Sequence, residues 1–338
     1  MKTRLLTSKE IKIASKIIKD GGLVAIPTET VYGLAANALD GKAISKIFKA
    51  KGRPMDNPLI VHVSSIDEIY SLVEDFPEKA RKLAQKFWPG PLTIILKKSN
   101  IIPDEVSAGL DTVAIRLPDS MVTRALIKES NVPLAAPSAN ISGSPSPTNA
   151  KHVLDDLNGK IDAVLDDGPC RVGVESTVIS LVSDIPKLLR PGGITAEELR
   201  DVLGEVEIDK AVLDRINPDE KVSSPGMKYK HYAPHIKIII IDSNSENFIN
   251  FVNSKNKNNI AALCYEEEKC KLNVKTITYG KKNNLSTQAN ELFDALRRID
   301  NLKDVDLVYA RCPKKEGVGL AVYNRLIRAA GFEVLKLD

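Results

Sequence analysis

Between residues 209 and 235 the hydrophobic periodicity that runs through the rest of the chain lapses, and polar, charged, proline and glycine residues take over. That lapse separates two stretches in which short apolar runs alternate with helical patterns. A chain of 338 residues also exceeds what one hydrophobic core usually supports. The sequence therefore predicts two α/β domains, residues 1–208 and 236–338, joined by a linker over 209–235. A structureless segment of this length is usually either disordered or functional. This one carries Met227, Tyr229, His231, Tyr232 and His235 among lysines.

In the first stretch, Thr7-Ser8-Lys9-Glu10 reads as a capping box opening a helix whose apolar face holds Ile11, Ala14, Ile17 and Ile18. Residues 23–26 form a buried strand that delivers Thr28, Glu29 and Thr30 to its C-terminal end, where α/β proteins tend to place ligands. The bland alternative is that these hydroxyls satisfy backbone groups at a strand end. Residues 42–51 have helical spacing in Ala43, Ile44, Ile47 and Phe48, residues 59–63 form a second strand, and Ser65-Ile66-Asp67-Glu68 caps another helix. Residues 78–87 are helical, stopped by Trp88-Pro89-Gly90-Pro91, with Trp88 read as a packing residue. Strands follow at 92–96 and 112–117, a short one before Ser138-Ala139-Asn140, and others at 161–165, 175–180 and 188–190. Thr195 then opens a last helix.

Cations gather where the helix 42–51 stops. Lys49 and Lys51 there complement the helix dipole, which is reason enough for their presence. Gly52-Arg53-Pro54 adds a guanidinium on a rigid turn, which suits a phosphate or carboxylate. Arg116 alternates within a strand and Arg190 ends one before Pro191-Gly192; either is costly to bury unless paired, and exposure is the bland reading of both.

Composition narrows the field without choosing within it. With 43% hydrophobic and 27% charged residues, the chain is an ordinary globular one, and a net charge of +4 permits an anionic ligand without demanding nucleic acid. Cys170, Cys264, Cys270 and Cys312 show no Cys-x-x-Cys or zinc-finger spacing, so inert thiols are expected rather than disulfides or zinc. The N-terminus lacks a signal-peptide core and no apolar run approaches a membrane span, so a cytoplasmic protein is expected.

Several motifs occur in an order that resembles a known family. They are Pro27 to Leu34, the Lys51-x-Arg53 pair, Asn57-Pro58-Leu59-Ile60-Val61-His62, Ser138-Ala139-Asn140, and Ser224 to Pro234 in the linker. Together they are similar to the long, two-domain threonylcarbamoyl-AMP synthases. The resemblance implies a YrdC-like twisted mixed sheet with helices forming a basic concave cavity, plus a smaller Rossmann-like α/β/α domain. It implies synthesis of threonylcarbamoyl-AMP from L-threonine, bicarbonate and ATP with release of pyrophosphate, for the t6A modification of tRNA. Lys51 and Arg53 are the expected catalytic residues. Thr30, His62, Arg116, Ala136 and Ser176 are expected around threonine, and Asn57, Thr112, Ser138, Asn140, Ser146, Arg190 and Tyr229 join Lys51 and Arg53 around ATP. The linker is expected to lie over this site. Mg2+ is expected with ATP through its phosphates, with no protein metal site, NAD, flavin or zinc. The expected partner is a threonylcarbamoyl transferase complex that receives the product, with direct tRNA binding allowed but not required.

A histidine at the end of an apolar strand, as His62 is, more often satisfies structure than acts as a base. Two rival functions have weaker support. A non-catalytic RNA-binding module would want aromatics interleaved with Lys and Arg, and carbamoyl transfer in hydrogenase maturation would want acylphosphatase-like and zinc-finger segments.

In the second stretch, strands at 236–241, 260–264, 274–277 and 305–309 alternate with helices at 287–298 and 318–330, which predicts a parallel sheet. Asp242-Ser243-Asn244-Ser245 is no glycine-rich dinucleotide fingerprint. Arg311-Cys312-Pro313 and the run from Glu316 to Arg325 resemble the family's C-terminal pattern, which by itself assigns them no role.

Overall fold

The computed structural model describes residues 2–214, 232–255 and 258–337. They divide into two compact units. The first holds the chain up to residue 214 except for Gly143–Pro145 and Val172–Val174, which group with the second, C-terminal unit.

Along the first unit the strands are β1 (Arg4–Thr7), β2 (Val24–Ile26), β3 (Gly33–Asn37), β4 (Ile60–His62), β5 (Leu92–Lys97), β6 (Thr112–Arg116), β7 (Leu134–Ala135), β8 (Ala163–Asp166), β9 (Thr177–Ser180), β10 (Lys187–Arg190) and β11 (Glu207–Ile208). They form one sheet in the order β1-β8-β2-β3-β7-β4-β6-β5-β9-β10-β11. Parallel pairs such as β4 with β6 sit among antiparallel ones such as β5 with β6, so the sheet is mixed. Its apolar side chains pack under helices Gly41–Lys51, Glu78–Phe87 and Ala196–Leu203 through Ile44, Ile47, Leu83, Ile94, Ile115 and Leu199.

Local signals account for much of this. The helix Gly41–Lys51 starts because the Asp40 carboxylate accepts from the amides of Lys42 and Ala43, and it ends because Gly52 adopts φ 61°, a left-handed cap that costs glycine nothing. Trp88 is buried and donates from Nε1 to Leu92 O at 2.7 Å, a packing role. The segment after Ser65 departs from expectation. Its helix, Ile69–Leu72, is a single turn, and Glu68 instead accepts from the Ser64 amide and hydroxyl, so the acid serves the preceding loop rather than a cap. Strands β1 and β11 are too short and too polar for periodicity to announce them.

The second unit carries β12 (Lys237–Asp242), β13 (Asn259–Cys264), β14 (Lys275–Thr278), β15 (Val305–Arg311) and β16 (Val334–Lys336), in the order β14-β13-β15-β12-β16. Every pairing in it is parallel. Helices Ser245–Ser254, Leu285–Asp300 and Val318–Ala329 connect the strands.

Candidate active site

Lys51 is the last residue of its helix, and the turn at Gly52 leaves its side chain directed inward, only 2% exposed. Its ammonium donates to Ser138 O at 2.5 Å and Asn140 O at 2.6 Å, so the basic helix end and the Ser-Ala-Asn loop are joined through this one side chain. Burial holds its pKa well below the ordinary lysine value and the Arg53 charge adds to that, while Asp156 and Glu175 oppose it. The Arg53 guanidinium curls back to donate to Asn57 O at 3.2 Å and Pro58 O at 3.3 Å. Asn57 is itself buried, and among the described residues its Oδ1 has no hydrogen-bond partner. Beside this end of the helix lies a cavity of about 510 Å3 lined by Lys46, Lys49, Lys51, Gly52, Ile141 and Lys160. It flanks the cluster without reaching Arg116, Ser176 or Arg190.

Arg116 ends β6 and is 3% exposed, contrary to the exposed reading of an arginine in a strand. Its Nη2 lies 2.8 Å from Glu29 Oε1 and its Nε donates to Gly90 O at 3.3 Å. Glu29 Oε2 in turn accepts from the Asp119 amide at 3.2 Å. The parallel register of β4 on β6 sets His62 beside Arg116 and Ile60 beside Ala114. Extended two residues back, the same register brings Thr112 level with Pro58, next to Asn57. The strand pair therefore presents Asn57 and Thr112 at one end and His62 and Arg116 at the other, roughly 13 Å apart along five residues.

His62 is buried with Nδ1 3.2 Å from Ile60 O, and burial, followed by the Arg116 charge, lowers its pKa to about 3. It is neutral at ordinary pH. Thr30 is fully buried, its hydroxyl 2.8 Å from that of Thr28, which also donates to Val31 O at 2.6 Å. The Thr28 hydroxyl does satisfy the local backbone, as the bland reading held, while that of Thr30 meets, among the described residues, only the Thr28 hydroxyl. Ala136 is buried and donates its amide to Ile60 O at 2.9 Å, while Gly33 forms a bridge with Ser138.

Arg190 ends β10 at 7% exposure and donates from Nε to Ser176 O and from Nη2 to Ser176 Oγ, both at 3.0 Å. Ser176 Oγ lies 2.8 Å from the Thr93 hydroxyl. Gly192 follows because a Cβ there would sit 2.2 Å from the Thr177 amide nitrogen; only glycine allows the turn after Arg190 to come so close to the start of β9. Ser146 is buried and donates to Glu175 Oε1 at 2.5 Å.

Several of the polar residues singled out from sequence thus meet in separate local groups: Lys51 with Ser138 and Asn140, Arg53 with Asn57, His62 beside Arg116, and Ser176 with Arg190. Thr112 stands at the far end of its strand, and Tyr229 lies outside the described residues. Glu29, Thr93 and Glu175 are members that sequence reasoning left without a role. A buried arginine demands an anion, and Glu29 was visible within the strongest motif; Thr93 and Glu175 gave no such signal. Among the described residues no group of three or more His, Cys, Asp or Glu side chains could hold a metal ion. Nor is any described helix long and apolar enough to cross a membrane.

Residues 16–192 match the family model described as "Telomere recombination", which covers the Sua5, YciO and YrdC proteins, and residues 194–331 match the threonylcarbamoyl-AMP synthase C-terminal domain. The threonylcarbamoyl-AMP synthase of Bacillus subtilis is 46% identical, with 97% of this chain and 94% of that one covered. The enzyme of the same name from Pyrococcus abyssi is 45% identical over 97% and 96% of the two chains. The crystal structure of P. abyssi Sua5 complexed with L-threonine superposes with a TM-score of 0.90 at 41% identity, covering 100% of both chains.

Proposed function

The chain belongs to the threonylcarbamoyl-AMP synthase family, and on that premise we propose that it condenses L-threonine with bicarbonate and transfers the product to the α-phosphorus of ATP, releasing pyrophosphate. One observation carries the chemistry. Lys51, Arg116 and Arg190 are buried cations, each closing a different helix or strand of the first unit. Burying positive charge is expensive, and an anionic ligand would offset part of that cost.

We read these residues as dividing between the two reactants. Arg116 is the cation for the threonine carboxylate, with His62, Thr30, Ala136 and Ser176 around the rest of the amino acid. Lys51 and Arg53 face the triphosphate, with Asn57 and Thr112 at one end of the β4–β6 pair and Ser138, Asn140, Ser146 and Arg190 completing the nucleotide's surroundings. ATP enters as its Mg2+ complex, a substrate in which the phosphates hold the ion.

The threonine amine adds to bicarbonate with loss of water, and the carbamate oxygen then displaces pyrophosphate from the α-phosphorus. No step needs a covalent enzyme intermediate. Placing the carbamate against the phosphorus supplies effective molarity, worth up to about 7–11 kcal/mol of barrier. The desolvated Lys51 ammonium neutralises charge on the leaving phosphates. His62, neutral and fixed, positions rather than transfers protons. The product serves t6A synthesis on tRNA, through a transferase that accepts a labile adenylate.

Supplying threonine, bicarbonate, Mg2+ and ATP should yield pyrophosphate and a mass for threonylcarbamoyl-AMP. Lys51→Ala should lower kcat by about 10²–10³-fold while circular dichroism stays unchanged. No threonine-dependent pyrophosphate from the wild-type chain, or full turnover by the Lys51→Ala variant, would sink the assignment.

A further inference from the structure

The second unit has a cavity of its own that the reaction above does not use. Its chain leaves β12 toward β13 on one side of the sheet and leaves β15 toward β16 on the other, although β12 and β15 are neighbours. Parallel crossovers are right-handed, so these two connections lie on opposite faces. The helix packing agrees, since Leu285–Asp300 packs with Val318–Ala329 and Ser245–Ser254 with the turn Glu266–Lys271. The C-terminal ends of β12 and β15 therefore open a crevice at a topological switch point, the customary ligand position in such sheets.

A cavity of about 290 Å3 occupies that place, lined by Asp242, Tyr265, Lys282, Arg311, Lys314 and Lys315 among others. Arg311, the last residue of β15, is 7% exposed. Its guanidinium lies 5.8 Å from the Phe248 ring centroid and 5.7 Å from that of Tyr265, and Nε donates to the buried Glu268 Oε1 at 3.2 Å. Among the described residues its two terminal nitrogens donate to no acceptor. The loop that follows is held in place, because Tyr279 donates to Arg311 O at 2.7 Å and Tyr265 to Cys312 O at 3.1 Å. Lys315 reaches Asp242 Oδ2 at 2.9 Å. Four cations thus line the cavity against one carboxylate, Asp242. Of the other nearby acids, Glu268 takes the Arg311 Nε, Glu267 accepts from the Lys282 amide at 3.0 Å, and Glu316 lies 3.6 Å from the Lys314 ammonium on the exposed rim.

A guanidinium fixed between two aromatic rings, with its fork left open toward a cation-lined cavity, is half of a bidentate anion contact. We propose that the C-terminal unit binds a small phosphate-bearing anion at this crevice, with Arg311 gripping the phosphate, Lys315 and Lys282 closing on it, and Asp242 accepting from a hydroxyl of the ligand. Nothing in this assignment depends on the chemistry of the first unit.

Hydrogen–deuterium exchange on the full chain separates the two units by peptide. Inorganic pyrophosphate and AMP are titrated in separate arms, with adenosine as the phosphate-free control. Peptides covering 242–248 and 309–317 should exchange more slowly with at least one phosphate-bearing probe. The half-maximal concentration should rise at least tenfold in Arg311→Gln and in Lys282→Ala/Lys315→Ala, the latter a change of rim side chains that leaves the buried Arg311–Glu268 pair in place. Protection by pyrophosphate identifies the bare anion as sufficient, and protection by AMP alone identifies a phosphate ester. Protection confined to the first unit, equal protection by adenosine, or undiminished protection in the rim variant overturns the proposal.

Discussion

Imidazole at position 62 is held neutral by its surroundings, and this has a consequence for stability. Its folded pKa of about 3 lies below the ordinary histidine value of 6.5, so the unfolded chain binds the extra proton first as pH falls. The contribution is nil above pH 6.5 and becomes destabilising as pH drops from 6.5 toward 3, reaching about 5 kcal/mol. Urea denaturation across that range should show His62→Gln losing less stability toward acid than wild type; parallel curves would contradict the burial argument. Glu29 and Arg116 form the other decisive residue pair. Removing Glu29 strands a guanidinium at 3% exposure, and Glu29→Ala should cost about 3–5 kcal/mol by chemical denaturation. Glu29→Ala combined with Arg116→Met should recover part of that loss. Arg116 is legible as a charge within a strand and Glu29 as one at a strand end, but their pairing is not, because they lie 87 positions apart in sequence (116 − 29).

At the scale of elements, local chemistry was the most readable. Thr195, which the sequence marks as opening Ala196–Leu203, accepts from the Glu198 amide at 3.2 Å, and Glu198 Oε2 accepts from the Thr195 amide at 2.8 Å, completing a capping box. Thr195→Ala should therefore cost about 1 kcal/mol and Thr195→Ser much less, measured as midpoint shifts in urea. The same device at Thr7 and Glu10 opens a short 3-10 turn that runs into Ile11–Lys19. It failed at Ser65 because the acid that completes the pattern found a better partner, the Ser64 hydroxyl, in the loop before it. Three buried cations sit at element ends. Lys51, Arg116 and Arg190 each close a helix or strand, where a backbone turn can present a long side chain inward without breaking a ladder.

For the whole molecule, sheet order and chain order disagree in the first unit. Arg4 pairs with Ala163 and Lys187 with Glu207, so the first and last strands cap opposite edges of one sheet. Such non-local pairing imposes loop-closure costs before contacts form, which slows folding and populates intermediates. Trp88, the only tryptophan and buried in this unit, reports on it. Stopped-flow refolding followed by its emission should show rollover in the folding limb at low urea; a straight limb would mean that the sheet assembles in one step.

Periodicity, caps and turn residues were enough to place most helices and long strands and to foresee an all-parallel second sheet, because each rests on neighbours within one turn or one strand. Motif spacing was enough to point to the family. Which strands meet, that Arg116 turns inward to Glu29, and that Arg311 opens into a crevice depended on contacts between segments tens to hundreds of residues apart. Tertiary structure alone decides these, since the energy of burying a charge is set by whatever partner the fold brings to it and not by the residues beside it in the chain.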